Sequence, residues 1–139
     1  MDDVTRYPLL GVGAILIDGG RILLIKRGKA PYQGAWSLPG GTVEWAEPMA
    51  VALAREVLEE TGLKIEVGPI AGTFESISPE GSYHYVIVDL TATVVGGTLQ
   101  AGDDAAEVEW VPIDELGSRN LTPRLVELLT GFGVLGQPD

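Results

Sequence analysis

The sequence predicts an α/β fold, a mixed β-sheet covered on both faces by helices. Apolar runs with strand character recur at residues 10–17, Arg21–Arg27 and 83–95, the last alternating with the period of two that a half-buried strand requires. Residues 48–61 instead repeat at helical spacing, and Thr122-Pro123 opens a second helix. Many strands with two substantial helices suit a layered architecture, the helices covering the sheet.

In order, residues 10–17 (LGVGAILI) form a buried strand, Asp18-Gly19-Gly20 a tight turn, and Arg21–Arg27 (RILLIKR) the returning strand of a hairpin. Residues 28–34, with Pro31 and Gly34, predict a mobile loop that leads into a short strand at 36–38 and a turn at Pro39-Gly40-Gly41. The central helix takes Glu47 at or just before its cap, Pro48 at its first position and Gly62 at its left-handed end. Residues 63–67 and 70–74 have strand character around a Gly68-Pro69 turn, and 75–82, with Pro79 and Gly81, form a loop. After the strand at 83–95, Gly96 and Gly97 break the pattern and 98–100 resume pairing. A loop at 102–106 leads into a strand at 108–111 and a helical turn at 113–116. In the last helix Thr122 caps and Pro123 stands first inside. No repeat appears, and the Gly-rich tail at 131–139 is expected to fray.

The 139 residues predict a single domain, 1–139, with 45% apolar and 21% charged residues placing it among ordinary globular proteins. Met1-Asp2-Asp3 has the wrong charge for a signal peptide, and the apolar run at 8–17 is too short to span a bilayer. A cytoplasmic protein without membrane contact is expected. The absence of cysteine rules out a disulfide framework, a thiol nucleophile and a zinc knuckle. A net charge of −11 argues against long nucleic acid as partner, since phosphate neutralisation needs Lys and Arg in number. A small phosphorylated ligand remains compatible. Arg21, Lys26, Arg27 and Lys29 crowd into nine positions, and Arg21, Arg27 and Lys29 are expected to bind its phosphates.

On the central helix, Ala50, Leu53, Ala54, Val57 and Thr61 share one arc, extended by Val51 and Leu58, which predicts the buried face. Glu56, Glu59 and Glu60 cluster opposite it, with Arg55 beside them and Ala52 between. Like charges at this spacing repel unless a cation sits among them. An oxygen-only ligand set suits Mg2+, with Mn2+ as substitute, rather than zinc.

The spacing then carries a resemblance. Gly41, five residues, Glu47, seven residues, Arg55-Glu56-Val57, one residue, Glu59-Glu60, one residue and Gly62-Leu63 resembles the Nudix box at every defined position. Residues 36–40 (WSLPG) are also similar to the strand and turn that precede the box in that family. The resemblance implies a Nudix-type α/β/α sandwich, a metal ligand in the Gly41 carbonyl, and an Arg55 that orients Glu47. It also implies hydrolysis of a nucleoside diphosphate linked to another moiety, and frequent homodimers, for which the first strand region is the expected pairing element.

Two or three Mg2+ ions on Glu56, Glu59 and Glu60 would activate water and neutralise developing charge. Nudix enzymes differ in whether the general base is a box glutamate or comes from a loop outside the box. Asp103, Asp104 and Glu107 lie in such a loop, with Glu107 the preferred catalytic carboxylate and Asp104 the preferred extra metal ligand. His84, in an alternating strand, is expected to pack rather than act as base; Tyr32, Trp45, Phe74, Tyr83 and Tyr85 are stacking candidates, and Trp110 a core residue. Pro79, sixteen residues after Leu63, resembles the downstream proline of ADP-ribose-hydrolysing members. ADP-ribose or a similar nucleotide sugar is the expected substrate. The alternatives are a nucleoside triphosphate pyrophosphohydrolase, a dinucleoside polyphosphate hydrolase, and a non-catalytic nucleotide sensor.

Overall fold

The computed structural model describes residues 6–102 and 105–133. Its central strand is β1 (Leu9–Asp18), rich in apolar residues and engaged along both edges. On one side β6 (His84–Gly97) runs parallel to it, Leu9 opposite Tyr85 through Leu16 opposite Ala92, and β5 (Leu63–Ile77) pairs antiparallel beyond. On the other side the first half of β1 pairs with β4 (Gly40–Thr42) and its last residues with β2 (Arg21–Arg27). Strand β2 also pairs with β3 (Trp36–Ser37) and with β7 (Ala105–Pro112). The parallel pairing of β1 with β6 among antiparallel ones makes the sheet mixed, as predicted. Because β1 spends both main-chain edges within the chain, it is not the strand to pair across a homodimer, contrary to the expectation above.

Alternation along the strands sends side chains to two cores. Val12, Ala14, Leu16, Leu23, Val88 and Leu90 pack with Ala52, Leu53 and Val57 of helix α1 (Met49–Thr61). Ile15, Ile22, Leu24 and Val111 pack with Leu125 and Leu129 of helix α2 (Pro123–Gly131) and with Leu116 of a 3-10 turn at Ile113–Ser118. A helix therefore covers each face. No helix among the described residues is long and apolar enough to cross a membrane.

Several elements differ from expectation. Gly40 and Gly41 belong to a short strand rather than a turn. Strand β5 runs through Gly68-Pro69, the missing proline N–H absorbed as a shift of register between Val67 and Ile70. Residues 98–102 do not resume pairing. The N–H groups of Thr98, Gln100 and Gly102 instead donate to the carbonyls of Gly62, Thr61 and Glu60, closing the end of α1. Pro48 is the cap of α1 rather than its first residue, while Gly62 takes the left-handed conformation foreseen for it, at φ 77°. Residues 28–34 are tied down by Gly34 N–H to Arg27 O and Ala35 N–H to Tyr32 O.

The largest difference is the rotation of α1. Ala52, placed among the acids by the sequence reading, is fully buried, whereas Val51 and Leu58 are exposed at 54% and 46%. The buried arc centres on Leu53 and Val57 and takes in the stems of Glu56 and Glu60. Thr61 closes it, its hydroxyl donating to Val57 O at 2.7 Å and accepting the Leu63 N–H at 3.2 Å. Leu53→Ala is therefore expected to cost about 2–5 kcal/mol of unfolding free energy and Leu58→Ala less than about 1 kcal/mol, as read by urea denaturation. Equal costs would place the buried face where the sequence reading put it.

Candidate active site

Arg55 joins the β4–α1 loop to the helix. Its guanidinium forks onto Glu47, Nε and Nη2 each donating at 2.9 Å, while Nη1 donates to Glu56 at 2.8 Å. Nη2 also donates to Thr42 O at 3.2 Å, and Glu59 stands 3.7 Å from Nη1. The Arg55 hydrogen bonds hold the Glu47 carboxyl down to about 2, and the same contacts, Glu47 first, raise the guanidinium above its ordinary value. Burial pushes the Glu56 carboxyl up, against the pull of Arg55. The Gly40 N–H donates to Glu60 at 2.7 Å. The acids of α1 thus form a set held by donors rather than a bare repelling patch. Gly41 lies so close to Glu56 that a Cβ there would overlap the carboxyl and displace it from its place beside Arg55.

Glu56, Glu60, Gly40 and Gly41 line a cleft of about 710 Å3. Arg27, Lys29 and Arg124 line the same cleft, with Phe74, Tyr83, Tyr85 and Tyr32 as aromatic walls. The Tyr83 and Tyr85 rings are 6.4 Å apart at 49°. Other expected site residues lie elsewhere. Glu59 is 54% exposed and outside the lining. Arg21 sits at the opposite end of β2, paired with Asp18 and Pro112, about 20 Å along the strand from Arg27. Glu107 pairs with Lys26 at 3.2 Å on the exposed face of the β2–β7 ladder and does not line the cleft. Asp103 and Asp104 fall outside the described residues. Trp45 is 99% exposed, and Trp110 packs on the α1 core as foreseen.

Sequence reasoning missed Asp89 and Arg124. Arg124 Nη2 donates to Asp89 at 2.8 Å, both largely buried; burial raises the Asp89 carboxyl and lowers the guanidinium. An acid amid the apolar strand of residues 83–95 was the signal, since a buried charge needs a partner. Thr122 occupies the cap position of α2, but its hydroxyl makes no capping bond.

The family model for the NUDIX domain matches residues 8–132. The chain is a NUDIX family member. It is 38% identical over 119 residues to the ADP-ribose pyrophosphatase of Methanocaldococcus jannaschii, covering 82% of this chain and 70% of that protein. The MutT NUDIX hydrolase of Burkholderia pseudomallei superposes with a TM-score of 0.82 at 33% identity, over 89% of this chain and 97% of that one. The NUDIX domain of Shewanella oneidensis NrtR, solved with ADP ribose, gives a TM-score of 0.72 at 25% identity, over 92% and 90%. In NUDIX terms, the box supplies the carboxylates on one wall of the cleft and the Arg55 fork that fixes the loop before them.

The Glu47 carboxyl titrates near 2 in the folded chain against an ordinary 4.5. A depressed acid stabilises the fold above its unfolded value, and that contribution fades as pH falls from about 4.5 to about 2. The difference in unfolding free energy between wild type and Glu47→Gln should accordingly shrink over that interval in acid-titrated denaturation. A difference that holds constant down to pH ~2 would show that the fork does not depend on the charge of Glu47.

Proposed function

We propose that the chain hydrolyses, with Mg2+, the phosphoanhydride bond of a nucleoside diphosphate linked to another moiety, ADP-ribose or a similar nucleotide sugar. One observation carries this reading: a single cleft brings Glu56 and Glu60 of the box together with Arg27, Lys29 and Arg124 and with aromatic side chains. The kinship to an ADP-ribose pyrophosphatase and to a domain that binds ADP ribose supports the choice of substrate.

The donor chemistry fits a hard divalent cation. The side chains at that wall offer oxygen alone, and the burial that disfavours the Glu56 charge is what a cation would offset. Among the described residues no three acids already converge on one point, because Arg55 stands among them. Glu56, Glu60 and the backbone of Gly41 would hold the ion, Mg2+ or Mn2+ in its place, with Glu59 the remaining carboxylate of the box. When bound, it supplies charge neutralisation at the phosphoryl oxygens and a more acidic water.

The protein's own groups do the rest. Tyr83, Tyr85 and Phe74 offer faces for the base. Arg27 and Lys29 attract the diphosphate, and Arg55 keeps the loop carrying Gly41 in register with Glu56. Water attacks one phosphorus, the bridging P–O bond breaks, and a nucleoside monophosphate and a sugar phosphate leave. Glu56 and Glu60 are the box acids within the cleft that can take the proton from water.

Chromatographic product analysis should show AMP from ADP-ribose with Mg2+ and none in EDTA. Pyrophosphate released from a nucleoside triphosphate, or cleavage of dinucleoside polyphosphates alone, would move the reading to those substrates. Tight nucleotide binding without turnover would make it a sensor. Glu59→Gln is expected to lower kcat at least ~10²-fold with the fold intact by circular dichroism; unchanged turnover would remove Glu59 from the machinery. Arg55→Lys keeps the charge but loses the fork and should lower activity as well, while full activity would argue against an orienting role.

A further inference from the structure

Asp89 and Arg124 form an ion pair over Gly13, the register partner of Asp89 on β1, where a Cβ would overlap both the guanidinium and the carboxyl. The missing side chain on β1 leaves the pair its space. Arg124 comes from the first turn of α2 and forms the floor of the cleft with Ser37, Thr122 and Pro123, while Asp89, from the middle of β6, stays outside the lining. Asp89 is 1% exposed, and the Arg124 side chain keeps 12% exposure at the cleft that it lines.

The hydrogen bonding of this floor is incomplete. Nη2 of Arg124 is satisfied by Asp89, but Nη1 has only a 3.5 Å contact to Ser37 Oγ, and Nε is buried without a partner. Thr122 Oγ1, in a side chain 5% exposed, is buried without a partner as well. Nearly all buried polar groups in folded proteins are paired, so two orphans on one cleft floor need an explanation. Arg27 and Glu60 both lie close enough for their charges to act on Arg124. Two guanidiniums share one cleft, and the unmet capacity of Arg124 is for donating.

We infer that Arg124, fixed by Asp89, is a phosphate-binding residue of this cleft, holding a phosphate of the substrate beside the box acids. The assignment rests on the diphosphate reading above for the identity of the substrate but not for the existence of the anion site. A guanidinium presents donors in a rigid fork that matches phosphate oxygens, and one already anchored by a carboxylate loses little freedom on binding. Asp89 is a positioning residue: it keeps the guanidinium aimed and never meets the phosphate itself.

The test uses the metal-free protein and inorganic phosphate, so it does not depend on turnover. In side-chain 15N–1H spectra the Arg124 Nε–H resonance should shift as phosphate is added, and titration calorimetry should give a measurable Kd. Replacing both partners, Asp89→Asn with Arg124→Gln, removes the two buried charges together and leaves neither unpaired. That double variant should bind phosphate at least about tenfold more weakly with Tm maintained. Arg119→Gln, which removes an equal charge from a residue paired with Glu109 and stacked on Trp36 outside the cleft, should bind as wild type does. An Arg124 signal that stays still in the wild-type protein overturns the assignment, whether or not the double variant folds. An equal loss in Arg119→Gln would also overturn it, by showing that net charge alone is read. Phosphate binding through Arg124 without hydrolysis of ADP-ribose would sink the proposed substrate and spare the site; hydrolysis with an unmoved Arg124 would do the reverse.

Discussion

The fork from Arg55 to Glu47 and Glu56 is the contact on which the rest of the site depends. Glu44, Glu47, Glu56 and Glu59 all lie within 3.8 Å of one guanidinium, a density of like charge that a loop-to-helix junction would not hold without a cation. Because the fork is bidentate toward Glu47, it sets direction as well as distance, and the loop from Thr42 to Glu47 is fixed onto α1. The carboxyl of Glu56 is then pressed against Gly41 and that of Glu60 meets the Gly40 N–H. One arginine thereby aligns a strand end, a loop and a helix face.

Periodicity and spacing exposed much of this, and the residues that escaped share a cause. The box, the limits of α1 to within a residue and strands β1, β2 and β6 follow from local pattern. The rotation of α1 does not, because Glu56 and Glu60 are half-buried along their stems while Val51 and Leu58 are left exposed, an inversion that helical counting cannot see. Arg21 looked close to Arg27 because six residues separate them in sequence, yet in a strand six residues are about 20 Å. Glu107 sits next to the loop of Asp103 and Asp104 in sequence, but strand pairing turns it toward Lys26. Asp89 and Arg124 are 35 residues apart and meet only because β6 and α2 pack on the same face.

The distribution of charge resolves an apparent conflict. A chain of net charge −11 repels anions at long range, but long-range repulsion between exposed charges is screened within about 10 Å at ordinary ionic strength. What a phosphate meets at the cleft is local: Arg27, Lys29 and Arg124, together with box acids whose charge is taken up by Arg55 and by the Gly40 N–H. An acidic surface also discourages long polyanions, which must neutralise many phosphates at once, while it leaves a small nucleotide free to enter.

The cost of the Asp89–Arg124 pair indicates what it is for. Taking two charges out of water is expensive, and a buried pair stabilises a fold no better, and often less well, than apolar residues of the same volume. Here the fold gives up more, since β1 carries glycine at position 13 in the middle of a core strand, where a side chain would otherwise pack. A purely structural pair would be expected to satisfy its own hydrogen-bonding groups. This one leaves Nε without a partner and Nη1 with a 3.5 Å contact at the floor of a cleft. The expense is understandable when the pair serves to hold a guanidinium still, with part of its donor capacity unspent, at the place where a phosphate arrives.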